Sequence, residues 1–127
     1  MKKFFILTAV MLLVATGAFA QDTIRGRASY YSDRFEGRRM AGGGVYRKDS
    51  MTCAHRRLPF GTLLKVRNLR NDKEVIVKVT DRGPFAKRFI IDLSRAAATQ
   101  LDFIRAGHTP VEVTRVEAKC DSVETKK

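Results

Sequence analysis

Two carboxylates and one imidazole stand at places where side chains can do proton chemistry. Asp81 ends the apolar run Val75-Ile76-Val77-Lys78-Val79-Thr80 and is followed by Arg82-Gly83-Pro84-Phe85, where Gly-Pro turns the chain. Asp92 closes Phe89-Ile90-Ile91 and precedes Leu93-Ser94, and His55 stands just before Arg56-Arg57-Leu58-Pro59. Carboxylates at strand ends sit where a rigid scaffold aims them into a groove, and carboxyl and imidazole groups are the usual carriers of general acid–base work. A plainer reading has Asp81 opening a turn and Asp92 capping a short helix, both positions that Asp favours. Spacing alone leaves both readings open.

The elements that must position these groups are mostly strands. Ile24 to Tyr30 alternates loosely and predicts a first strand. Leu63-Leu64-Lys65-Val66-Arg67 and Glu74 to Val79 flank Arg70-Asn71-Asp72-Lys73 and predict a hairpin. Ser94 can N-cap a short alanine-rich helix over Arg95 to Leu101. Gly107 then releases the chain into Val111 to Val116, a strict alternation and the last strand. Arg34 to Asp49, rich in glycine and charge, reads as a long exposed loop, and Gly42-Gly43-Gly44 lacks the Lys-Ser/Thr of a phosphate loop. Many short strands and one or two short helices make the fold class mainly β, and a small closed barrel leaves no free edges.

The first twenty residues read as a segment removed before folding. Lys2 and Lys3 precede an apolar stretch from Phe4 to Val14, and Ala18-Phe19-Ala20 supplies small residues for cleavage before Gln21. The expectation is a cleaved signal peptide at 1–20, a single domain at 21–118 and a polar tail at 119–127. The product is expected to be soluble, exported to the periplasm and not a lipoprotein, because no cysteine follows the apolar stretch. The chain carries a formal charge of +12, of which the two leader lysines are part. Such a charge favours anionic polymers or surfaces. The basic residues are scattered without interleaved aromatics, so nucleic acid is not the expected partner. A monomer is expected. The two cysteines, Cys53 and Cys120, form an even pair that favours a disulfide in an oxidising compartment, worth about 4 kcal/mol in the chain-entropy account. Two histidines and two cysteines at these separations show no zinc spacing, so neither metal nor cofactor is expected.

Six segments in order then carry a resemblance: Gly26-Arg27-Ala28-Ser29-Tyr30-Tyr31, Phe35-Glu36-Gly37-Arg38, Met51 to Pro59, Val66-Arg67-Asn68-Leu69, Asp81-Arg82-Gly83-Pro84-Phe85 and Ile90-Ile91-Asp92-Leu93-Ser94. Together they resemble the rare lipoprotein A (RlpA) family over Gly26 to Val113. The resemblance implies a six-stranded double-psi β-barrel, related to expansins and family 45 endoglucanases. It also implies a lytic transglycosylase that cuts peptidoglycan, preferring glycan strands stripped of stem peptides, in septal wall processing and daughter-cell separation. The family's histidine matches His55 and its aspartate matches Asp81. Its glutamate does not survive: the family pattern falls on Met40-Ala41-Gly42-Gly43-Gly44-Val45-Tyr46, with Gly44 where the carboxylate belongs. Arg88-Phe89 stands where the family usually has Gly-Arg.

A glycosidase that uses water normally needs two carboxyl groups. A lytic transglycosylase does not need water, because the 6-hydroxyl of the N-acetylmuramyl residue attacks its own anomeric carbon. One carboxyl can then serve as acid and base. The resemblance makes Asp81 and His55 the expected catalytic residues, with Asp92 in reserve in the same groove. Tyr30, Tyr31 and Tyr46 are candidates to stack on sugar rings and Arg82 to bind substrate, although aromatics beside strands also serve packing. Glu36 lies near the missing glutamate in sequence, and His108 has no visible partner. The competing function is a non-catalytic, expansin-like glycan binder that keeps the groove and has lost the cutting chemistry.

Overall fold

A computed structural model describes residues 23–116. Six strands, β1 (Thr23–Tyr30), β2 (Thr52–Ala54), β3 (Leu63–Asn68), β4 (Glu74–Asp81), β5 (Ile91–Leu93) and β6 (Thr109–Arg115), close into a barrel in the order β1-β5-β2-β4-β3-β6. The β1–β5 and β2–β4 pairs are parallel and the other four antiparallel. Closure pairs every strand on both sides, so no edge is left to recruit another chain.

The barrel follows from alternation. Along β4, Val75, Val77 and Val79 are buried while Glu74, Ile76 and Lys78 are exposed, the two-residue period of a strand with one face inward. β3 does the same with Leu64 and Val66, and β6 with Val111 and Val113. These side chains meet Ala28, Cys53, Ile91 and Leu93 in one core. The helix α1 (Arg95–Gln100) starts where the sequence predicts it: Ser94 Oγ accepts from Ala97 N at 3.2 Å, and Ala97 and Ala98 are buried. Asp92 is therefore a strand residue of β5, two positions before the cap. Between the strands of the predicted hairpin, Asp72 takes the left-handed φ of 66° that closes the turn.

The 34–49 segment is exposed but held. It begins in a 3-10 turn, Asp33–Phe35, and Arg39 bridges Val45. Tyr46 is its anchor, only 1% exposed, with its amide donating to Arg38 O at 2.8 Å and its hydroxyl accepting from Arg95 N at 3.1 Å. Cys53 lies in the core at 1% exposure, and burial pushes its thiol well up from the ordinary range. Its expected partner Cys120, the leader 1–20 and the 119–127 tail lie outside the described residues. Among the described residues no helix is long and apolar enough to cross a membrane.

Candidate active site

The strand β2 brings the two aspartates together. Ala54 pairs with Asp81 of β4 on one side and with Asp92 of β5 on the other. Two strand spacings set their Cα atoms about 10 Å apart. The register along β2–β4 shifts here: Cys53 pairs with Val79, but the next residue, Ala54, pairs with Asp81, so Thr80 is extra. Strict alternation would send Asp81 to the core face with Val79. The bulge turns it to the face of Ala54 and Asp92 instead, as bulges beside sites do.

Around this pair lies an open groove of about 400 Å³. Its residues include Ser29, Tyr31, Asp81, Arg82, Phe85 and Asp92. Three donors converge on Asp81. The Tyr31 hydroxyl donates to Oδ2, while Ala41 N and its own neighbour Arg82 N donate to Oδ1 at 2.8 and 2.9 Å. The first two come from far along the chain and the third from the turn that Asp81 opens, so the site and turn readings coexist in one residue. Asp92 accepts from Ser29 Oγ at 2.9 Å, a contact set by the β1–β5 register, which pairs Ser29 with Asp92. Burial raises the Asp92 carboxyl above its ordinary value, and the charge of Asp81 adds to this against the Ser29 hydrogen bond. Burial, then the bond to Asp81 and its charge, raises the Tyr31 hydroxyl as well, so Tyr31 stays a donor.

The three tyrosines divide. Tyr31 stacks on Tyr46 at 4.4 Å and 11°, and Phe35 meets its edge at 5.7 Å. Tyr46 is buried beneath it. Tyr30 packs on Phe103 and donates its hydroxyl to Ile104 O at 2.8 Å. The aromatic that stands out was not among the sequence candidates: Phe85 is 88% exposed on the groove lip, carried on buried Gly83 and Pro84. A phenylalanine next to a Gly-Pro turn is the only sequence signal that points to it.

His55 lines a different cavity, a cleft also of about 400 Å³, with Arg56, Arg57, Leu58, Ile90 and Val113 among its walls. Its Nδ1 accepts from Arg57 N and Leu58 N at 3.1 and 3.2 Å. Burial, and then the charges of Arg82, Arg56 and Arg57, lower its pKa. The imidazole is therefore neutral with its proton on Nε2. One side chain ties the two cavities together. Arg82 lines the groove, yet its guanidinium donates to His55 O and Leu58 O at 3.1 and 2.8 Å and lies 4.0 Å over the Phe60 ring. His55 N in turn donates to Asp81 O at 3.1 Å.

The remaining sequence candidates fall elsewhere. Glu36 accepts from Lys48 N at 2.7 Å and from Arg47, whose contacts hold its carboxyl below the ordinary range within its own loop. Arg88 stacks on Phe89. His108, which shows no partner in the sequence, has one: Arg27 lies 2.8 Å from its Nδ1. Gly42 donates to Thr80 O at 3.0 Å, and a Cβ there would lie 2.6 Å from that oxygen, so the loop docks on β4 only with glycine. Gly44 has open space around it and a φ of +69°, and it presents no carboxyl to the groove.

A closed double-psi barrel with paired aspartates at its bulge narrows the kinship. The family model described as lytic transglycolase, a double-psi β-barrel family, matches residues 23–113. The chain belongs to this family. Among curated relatives, the endolytic peptidoglycan transglycosylase RlpA of Campylobacter jejuni is 46% identical over 92 residues, covering 72% of this chain and 34% of that protein. The probable endolytic peptidoglycan transglycosylase RlpA of Aquifex aeolicus is 52% identical over 89 residues, covering 70% and 39%. The chain thus spans between a third and two fifths of the length of these relatives. Solved structures with the same fold include a Streptomyces papain inhibitor, at TM-score 0.62 and 23% identity over 76% of this chain and 96% of that one. A mutant Clavibacter michiganensis expansin in complex with cellohexaose superposes at TM-score 0.59 and 24% identity, over 76% and 51%. At these identities the likeness concerns the fold. In this barrel Asp81 lines the groove, His55 lines the neighbouring cleft and Gly44 stands in the loop without a carboxyl.

Proposed function

We propose that this domain is an exported endolytic peptidoglycan transglycosylase that cuts the glycan strand with formation of 1,6-anhydro-N-acetylmuramyl ends. The observation that carries the reading is the bulge at Thr80, which aims Asp81 at the open groove beside half-buried Asp92. The names of the relatives support the reaction class. The leader-like 1–20 segment supports periplasmic delivery, and cell-wall remodelling at the septum follows from the family.

The chemistry divides between the two carboxyls. Asp92, raised by burial, holds a proton at a pH where an exposed aspartate has lost it. It gives that proton to the glycosidic oxygen as the C1–O4 bond breaks. The muramyl 6-oxygen attacks C1, and its proton passes to Asp81, which Tyr31 and Ala41 hold in place. Asp81 then gives its proton to solvent and Asp92 takes one up, which resets the pair with no net change in protons. The neutral His55 contributes a free Nε2–H as a hydrogen-bond donor to the strand where groove and cleft adjoin. Phe85 offers an open aromatic face to a sugar ring.

The test is digestion of amidase-stripped peptidoglycan, with products read by mass spectrometry. Anhydro-ended fragments are expected from the wild-type chain. Asp81→Asn should reduce them by roughly 10²–10⁴-fold, the usual cost of an acid–base group. Sedimentation with glycan but no new ends would instead support a second reading, an expansin-like binder. Gly44 favours that reading, because the family's third acidic group is absent from the loop.

A further inference from the structure

We propose that Arg38 and Arg39 are specificity-determining side chains of the groove that read the lactyl carboxylate of a muramyl residue. The inference rests on the groove being the glycan site and adds the side chains that recognise the acidic group. Both arginines line the groove on the wall formed by the 34–49 segment. Their backbone is fixed: Arg38 N donates to Phe35 O at 2.9 Å, Arg38 O accepts from Tyr46 N at 2.8 Å, and Arg39 bridges Val45. Arg38 is also held 5.2 Å over the Phe35 ring, which meets Tyr31, the donor to Asp81. The cation is thus three side chains from the carboxylate that would do the chemistry.

Neither arginine has an acidic partner among the described residues. Other guanidiniums near that loop do: Arg47 pairs with Glu36 at 3.3 Å and Arg95 with Asp33 at 3.3 Å. Glu36 lies two residues from Arg38, yet its carboxylate turns to Lys48 N and Arg47. The third groove arginine, Arg82, is spent on two carbonyls. Two planar, donor-rich cations on the groove wall are therefore left without a carboxylate among the described residues, and guanidinium matches carboxylate in a two-pronged geometry. The groove floor holds the Asp81 carboxylate, which repels an acidic ligand, so an acidic glycan needs cations on the wall to enter. A muramyl residue stripped of its peptide carries such a carboxylate on its lactyl group. Cellulose- and chitin-like chains carry none.

The experiment measures binding of the full chain at 4 °C to three labelled probes: amidase-stripped glycan strands, the same strands with their lactyl carboxyls amidated, and chitin oligosaccharides of similar length. The wild-type chain should bind the free-acid strands about tenfold or more tightly than either neutral probe, since hydrogen bonds between charged groups are worth around that factor. Arg38→Gln with Arg39→Gln should erase the difference while leaving neutral-probe binding and the melting temperature unchanged. Equal wild-type affinity for free-acid and amidated strands, or a double variant that keeps the preference, would overturn the inference while glycan binding stands. Binding to none of the three probes would overturn the inference and the glycan reading together.

Discussion

The groove and the cleft have nearly the same volume and are tied together by Arg82 of the groove, which donates to the backbone of His55 in the cleft, yet they are built on different principles. The groove has two carboxylates flanking Ala54 on the strands to either side, an exposed aromatic and three donors converging on one oxygen pair. The cleft is walled mainly by apolar side chains and rimmed by arginines, with His55 as its one imidazole. Size does not separate them. Convergent polar groups at a bulged strand end do, because such groups are held by ladder hydrogen bonds on both sides and cannot relax away from one another. The difference places His55 outside the groove, tied to it only through Arg82, which donates to His55 O, and through its own amide on Asp81 O.

Three measurements sharpen that comparison. The largest effect is expected from His55→Asn, whose Oδ1 can take over the hydrogen bonds to Arg57 N and Leu58 N but which has no counterpart of the Nε2–H. The fold should hold, while cleavage falls by about tenfold, the worth of one hydrogen bond that serves the transition state. Wild-type turnover in this variant would make the histidine purely structural. A loss as deep as that of Asp81→Asn would move the reacting centre towards the cleft.

Next comes Phe85→Ala. The side chain is 88% exposed, so its removal should leave the melting temperature alone. KM should rise about fivefold with kcat little changed, since one stacking face contributes around 1 kcal/mol, and Phe85→Trp should restore KM. A drop in kcat alone would place the ring elsewhere than on a remote sugar.

The smallest effect, on stability, should have opposite sign in the two cavities. Folded Asp92 binds its proton more tightly than the ordinary aspartate value of 3.8. As pH rises from there the folded state holds more protons than the unfolded one, so stability falls until Asp92 ionises in the folded state too, and the loss persists above that pH. Asp92→Asn, which still accepts from Ser29, should therefore gain melting temperature relative to wild type between pH 3 and pH 7. His55 works the other way: its pKa lies below the ordinary 6.5, so it costs stability as pH falls through that region. His55→Asn should gain relative to wild type on acidification. Parallel melting curves for wild type and Asp92→Asn would show that the groove carboxyl is not raised by burial.

Much of the barrel was legible because alternation is local. The first strand, the β3–β4 hairpin, the Ser94-capped helix and the last strand each announce themselves within a few residues, through side-chain period, turn chemistry or capping. Three-residue β2 and β5 are too short to show a period, and they exist because long strands on either side hold them. They are also the strands that matter to the site, since Ala54 stands between the two aspartates. The tyrosines illustrate the same limit. Their sequence neighbours do not distinguish Tyr31, bonded to Asp81, from Tyr46, buried under it, or from Tyr30, tied to Ile104 O.

By itself the sequence determined the alternating faces of the long strands, the cap at Ser94 and the segments that carry the family resemblance. Each depends on residue type and near spacing alone. Only the tertiary structure decided that Thr80 is the extra residue of a bulge, that Ser29 and Tyr31 serve different aspartates, and that His55 lines a second cavity. Those outcomes depend on the register between strands far apart in the chain. Shifting that register by one residue moves a side chain from the core to the groove, and no local pattern records it.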